Sequence, residues 1–142
     1  MRATIHGFRI AVIALAIYWI TIFVLTHLPP NPLMYWVGRS DKFVHGAAFT
    51  MLAFLMAWAI PTNRNRLHDN VGLAAVFGVI YAGFDELLQI PVGRTADWAD
   101  FFADCVGILF GLAIYTMIRN AILKARVQIF QNPDSDSLQK PL

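Results

Sequence analysis

Four apolar stretches decide what this chain can become: Ile10 to Leu28, Phe43 to Ile60, Val71 to Ile90 and Phe101 to Ile118. A helix rises about 1.5 Å per residue, so about 20 apolar residues, range about 17–25, cross the hydrocarbon of a bilayer, and all four stretches qualify. Inside lipid every backbone N–H and C=O needs a partner within the structure, which a helix provides by itself. With 58% hydrophobic and 14% charged residues, against about 45–50% and about 25% in soluble domains, the chain has more apolar surface than a water-soluble core can hide. The expected fold is all-α, a polytopic membrane protein built as a four-transmembrane-helix bundle. One domain is expected over residues 1–130. A disordered cytoplasmic tail is expected over 131–142, where Pro133, Asp134, Ser135, Asp136 and Ser137 offer nothing to bury.

Arg2 and Arg9 ahead of the first stretch are reminiscent of a signal peptide. The stretch is longer than the usual apolar region of about 7–15 residues, however, and it runs into His27-Leu28-Pro29-Pro30 rather than a small-residue cleavage site, so a retained first span is expected. Cytoplasmic flanks are enriched in Lys and Arg. Four crossings put Arg2, Arg9, Arg64, Arg66, Arg119, Lys124, Arg126 and Lys140 on one side and leave Arg39, Lys42 and Arg94 on the other. Both termini are therefore expected in the cytoplasm. The outer end is net acidic, since Asp41, Asp85, Glu86, Asp97, Asp100 and Asp104 outnumber its three bases.

The formal charge of the whole chain, +2, is too small to suggest nucleic acid as a partner. Cys105 is the single cysteine, so no intrachain disulfide forms, and no Cys and His residues have the spacing of a zinc module. Trp98 is expected to anchor the outer interface, Trp58 and Tyr115 the inner one, and the Pro-rich segment Pro29 to Ser40 to cap the outer end. Beyond Ile118, bases mixed with apolar residues as far as Phe130 suit either a helix along the anionic inner surface or a solvated helical extension.

Spans three and four carry a deficit. Their uninterrupted apolar parts, Val71 to Phe84 and Cys105 to Ile118, are 14 residues each, which covers roughly 21 Å of a hydrocarbon layer about 30 Å thick. Their outer thirds must carry carboxylates into the membrane. Counting from the inner ends puts His45, Asp85, Glu86 and Asp104 at nearly one depth, with Asp41, Lys42, Gln89 and Asp100 about a turn further out and Arg94 and Asp97 beside the loop above. On the helical wheel Asp100, Asp104, Gly107 and Gly111 share one stripe, and Gly78, Ala82, Asp85 and Gln89 another. Small residues four apart let membrane helices approach closely, so the acids extend inward faces.

Asp41, Asp97 and Asp100 stand at helix N-termini, where capping and the dipole favour a carboxylate. Asp85 and Glu86 stand near a C-terminus, where a negative charge is disfavoured, and His45 and Asp104 lie about a turn too deep to cap. Charges inside a bilayer are costly and usually mark pathways or sites. Lys42 and Arg94 are the expected counter-ions.

Asp41-Lys42-x2-His45, then Asp85-Glu86-x2-Gln89, then Gly93-Arg94 with Asp97, Asp100 and Gly107, form a pattern that resembles the VanZ-like family of bacterial membrane proteins, named after a protein associated with teicoplanin resistance. The resemblance covers about Ser40 to Gly111, and Asp104 departs from it, since the family often has Asn near that position. It implies a multi-pass protein of the bacterial plasma membrane, part of the cell envelope, and supplies no reaction.

The leading expectation is an outward pocket that binds, or binds and modifies, the polar head group of a lipid or lipid-linked cell-wall precursor, with a link to glycopeptide resistance. His45, Asp85 and Glu86 are the candidates for proton exchange. Asp41, Lys42, Gln89, Arg94, Asp97, Asp100 and Asp104 are the candidates for substrate binding. His45, Asp85, Glu86 and Asp104 are also the candidate ligands for a divalent cation, which would relieve the excess of acids. Two other classes fit the pattern: a small transporter or proton relay, which needs a homo-oligomer, and a non-catalytic partner or stabiliser of other membrane proteins.

Overall fold

The computed structural model describes residues 3–27, 41–60, 67–93 and 96–131, and of residues 3–9 and 41 it describes the backbone alone. Four helices account for nearly all of them: α1 Ala3–Thr26, α2 Asp41–Ala59, α3 Leu67–Gln89 and α4 Trp98–Gln131, with no strand among the described residues. The helices α2, α3 and α4 are long and apolar enough to cross a membrane, and α1 contributes a shorter apolar stretch, Ile10–Thr26. The all-helical bundle agrees with the expected fold class. The expected cap Pro29 to Ser40 lies outside the described residues, as does the tail apart from Gln131, which ends α4.

The elements stop where backbone chemistry requires it. Pro91 has no N–H and cannot continue α3, so the chain tightens into a 3-10 turn over Ile90–Val92. Gly93 then takes the left-handed conformation, φ 82°, and its N–H donates to the Ile90 carbonyl at 3.1 Å. Nothing comparable interrupts α4, whose 34 residues extend about 51 Å, beyond any hydrocarbon layer. Residues 120–131 are exposed all round, so the basic segment after Ile118 is a helical extension that leaves the bundle.

The core sits along α2, where Phe49, Leu52, Ala53, Met56 and Ala57 are buried against Ala74, Ala82, Ile108 and Leu112. Packing is most extensive between α2 and α4, because glycines let the two backbones touch. A Cβ on Gly107 would strike the Gly46 carbonyl oxygen, and one on Gly111 the Thr50 carbonyl oxygen. Across the other side, α1 rests on α2 through Ile22 and a hydrogen bond from Tyr18 Oη to the Ala48 carbonyl at 3.0 Å. Trp19 meets Tyr81 edge to face at 4.9 Å.

One expected anchor is placed differently. Tyr115 is not an interface anchor but is buried, because Asn70 Nδ2 donates to its hydroxyl at 3.0 Å and Arg119 Nη1 at 3.3 Å. Asn70, just ahead of the third apolar stretch, already lies within α3, which begins at Leu67, and it turns inward to donate to the Ala57 carbonyl at 2.7 Å. Together they tie α2, α3 and α4 at the end of the bundle opposite Lys42.

Candidate functional site

The polar end of the bundle is built from the rim inward. Asp97 precedes α4 as its N-cap, with Oδ1 accepting from the Ala99 N–H at 2.8 Å. That amide, and after it the Lys42 ammonium, hold the Asp97 carboxyl below the ordinary carboxylate range. Lys42, at the start of α2, donates to Asp97 Oδ2 and to Asp100 Oδ1, each at 2.9 Å. One ammonium thus joins two carboxylates on the first turn of α4. Asp100 is buried, Asp97 and Lys42 are not.

Glu86 links this rim to the layer beneath. In an ordinary capping box a residue inside the first turn reaches back to the N-cap N–H. Here Asp100 is occupied by Lys42, and Glu86 of α3 takes that role instead, its Oε2 accepting from the Asp97 N–H at 2.8 Å. A carboxylate near the unfavourable C-terminus of one helix is thereby placed at the favourable N-terminus of the next.

Below it three helices converge. His45 of α2 hydrogen-bonds through Nδ1 with Asp104 Oδ1 of α4 at 3.1 Å, both side chains being buried. One ligand atom each from His45, Glu86 and Asp104 lie within 4.8 Å of one another. Two carboxylate oxygens here, Glu86 Oε1 and Asp104 Oδ2, are buried without a hydrogen-bond partner among the described residues. Asp104, the position that departs from the resembled pattern, is fully enclosed.

Asp85 takes a different direction. Adjacent residues on a helix point about 100° apart, so Asp85 faces α1 while Glu86 faces α4. Its Oδ1 accepts from Thr26 Oγ1 and from Tyr81 Oη, both at 3.3 Å, and its Oδ2 from Gln89 Nε2 at 3.0 Å. Of the four groups expected at one depth, the structure gathers His45, Glu86 and Asp104 and gives Asp85, with Gln89, a separate network. Thr26 of α1 went unanticipated, because a threonine near a helix end carries no signal of its own. Arg94 lies outside the described residues, and so does the side chain of Asp41.

A groove of about 460 Å³ opens on the flank of the bundle between α3 and α4. Its walls are apolar, including Val79, Ile80, Phe84, Leu87 and Phe101, and its floor includes Gly83; at its polar end are Glu86 and Asp97. No composition rule announces such a groove, since its residues are those expected of any lipid-facing surface. Glu86 belongs both to the groove and to the buried cluster.

Comparison with curated proteins and with solved structures finds no match. A model of the VanZ/LLP1 family matches residues 8–119, taking in most of α1, the polar end and the glycine contacts of α4. The apolar helices make this a membrane protein, and the chain belongs to the VanZ/LLP1 family.

Proposed function

We propose that this is a multi-pass protein of the bacterial plasma membrane that binds the polar head group of a lipid or lipid-linked envelope precursor at its outer end, with the apolar tail held in the groove between α3 and α4. The observation that carries the reading is continuity. Glu86 lines the groove and also belongs to the buried cluster with His45 and Asp104, so one amphipathic molecule meets an apolar wall and polar groups together. Small-molecule sites commonly combine a mostly apolar pocket with a few convergent polar groups. The groove opens sideways, which suits a ligand arriving within the leaflet rather than from water. Lys42, Asp97 and Asp100 then form the rim, and Asp85 with Gln89 braces α3 from behind. Family membership extends the proposal to glycopeptide tolerance.

Gly83 provides the test, because a Cβ there meets only a Phe101 ring carbon at 3.9 Å. Gly83→Leu therefore grows into the groove and leaves the bundle core alone. With a photo-crosslinking phospholipid or polyprenyl-phosphate probe, the wild-type protein should label between Val79 and Phe101, and Gly83→Leu should lose most of the label while melting as the wild type does. In a susceptible bacterium the wild-type chain should raise teicoplanin tolerance and the variant should not. Undiminished labelling of Gly83→Leu would sink the reading.

A further inference from the structure

Two buried oxygens without donors, on carboxylates from different helices that cluster with an imidazole, need explanation. His45, Glu86 and Asp104 are 5%, 6% and 0% exposed, so water cannot solvate them from outside. Each carboxylate has one oxygen held in place: Glu86 Oε2 by the Asp97 N–H, Asp104 Oδ1 by His45 Nδ1. Their other oxygens, Glu86 Oε1 and Asp104 Oδ2, have none among the described residues. The one described base of this end, Lys42, is committed to Asp97 and Asp100. Buried carboxylate oxygens without donors are expensive, and a cation is the economical partner for two of them.

We infer that His45, Glu86 and Asp104 bind a divalent transition-metal ion of the zinc type. Their ligand atoms lie within 4.8 Å of one another, a span that a single ion reaches with bonds of about 2.0–2.2 Å after a small inward shift of the side chains. The donor set is one imidazole nitrogen and two carboxylates. The nitrogen favours zinc and its neighbours over magnesium and calcium, which prefer oxygen alone. Three protein ligands are also the number found where a metal keeps a further position for water or substrate. The hydrogen bond to the Asp97 N–H is the sort of outer contact that orients a metal ligand. This inference rests on the head-group reading through Glu86, which the cluster shares with the groove, and adds to it a positive charge that an anionic head group can approach. Ion binding itself requires no lipid.

The test is Zn²⁺ titration of the full chain, purified in detergent, stripped with a chelator and free of added lipid. One Zn²⁺ per chain is expected. Glu86→Gln and Asp104→Asn, which keep side-chain shape, should each weaken binding at least tenfold, and His68→Ala, at the far end of α3, should leave it unchanged. X-ray absorption of the zinc-loaded wild type should show nitrogen and oxygen neighbours at about 2.0–2.2 Å and no sulfur at about 2.3 Å, a readout that does not depend on the variants folding. No bound zinc in the wild type, wild-type affinity in both variants, loss of binding in His68→Ala, a sulfur neighbour, or a preference for Mg²⁺ over Zn²⁺ would each overturn the inference. Lipid labelling of Gly83→Leu is a separate measurement, so either reading can fail alone.

Discussion

Asp97 shows how much one rim carboxylate is asked to do. It caps α4, pairs with Lys42 and offers its backbone N–H to Glu86. Asn caps a helix as well as Asp does, so Asp97→Asn removes the charge and keeps the cap. Because the folded carboxyl titrates below its ordinary range, its contribution is complete above the usual Asp value of about 3.9 and disappears as pH falls through the lower folded value. Thermal unfolding should therefore separate wild type from Asp97→Asn at pH 7, by a small margin since the pair is exposed, and the gap should narrow progressively as pH falls below about 3.9. A gap that persists or widens in acid would show that charge is not its origin. Asn70 carries more weight at the opposite end, being buried with three acceptors for its amide: the Ala57 and Ile60 carbonyls and the Tyr115 hydroxyl. Asn70→Ala strands the buried Ala57 carbonyl and should cost about 1–3 kcal/mol, whereas Tyr115→Phe should cost about 0.5–1.5 kcal/mol. Denaturant unfolding in mixed micelles measures both, and equal losses would mean that Tyr115, not Asn70, organises the contact.

Among elements, the contact of α2 with α4 is the most sensitive to substitution. Gly107→Ala and Gly111→Ala each place a methyl group against a backbone carbonyl that cannot rotate away, whereas a Cβ on Gly72 meets nothing within 4 Å. The first two should lose at least about 1–3 kcal/mol by overpacking. Gly72→Ala should be neutral or slightly stabilising, by roughly the 0.5–1 kcal/mol that separates Gly from Ala in a helix. The same unfolding measurement decides it, and harmless changes at both glycines of α4 would refute the close approach. These faces were legible because small residues at four-residue spacing encode a helix contact directly, and the stripes through Gly78 and Gly107 are indeed the buried ones. The common level of His45, Glu86 and Asp104 was legible because rise per residue is constant, and their ligand atoms do come within 4.8 Å of one another. Azimuth between adjacent residues mattered more than depth for the acids: Asp85 and Glu86 stand at one level yet serve different neighbours. Asn70 was masked by its context, as a polar residue after a charged loop has the same composition whether it closes the loop or turns into the core.

Taken whole, the described helices leave most residues of their apolar stretches uncovered, for no more than 39% of any candidate span is buried within the bundle. Ile13, Ile17, Phe77, Ile80, Leu109 and Phe110 all point away from the core, and lipid is the solvent that accepts them. Polar groups gather at its two ends, and between them Phe49, Leu52, Met56, Ile108 and Leu112 fill the interior. Among the described residues a single bundle packed in this way shows no polar path from end to end, which weighs against conduction by one copy. The ends also differ in charge: Lys42 is outnumbered by Asp85, Glu86, Asp97, Asp100 and Asp104 at one, while Arg119, Lys124 and Arg126 follow the bundle at the other. Because Lys and Arg are retained on the cytoplasmic side, the Asn70 end and the α4 extension should face the cytoplasm. Cysteine mapping in a Cys105→Ser background tests this, with Trp98→Cys at the polar end and Gln131→Cys at the end of α4, both positions being exposed. In intact cells, or in spheroplasts where an outer membrane blocks access, a membrane-impermeant maleimide should label Trp98→Cys and reach Gln131→Cys only after lysis. The reverse pattern would turn the groove and its polar end toward the cytoplasm, and with it the leaflet from which any lipid ligand must come.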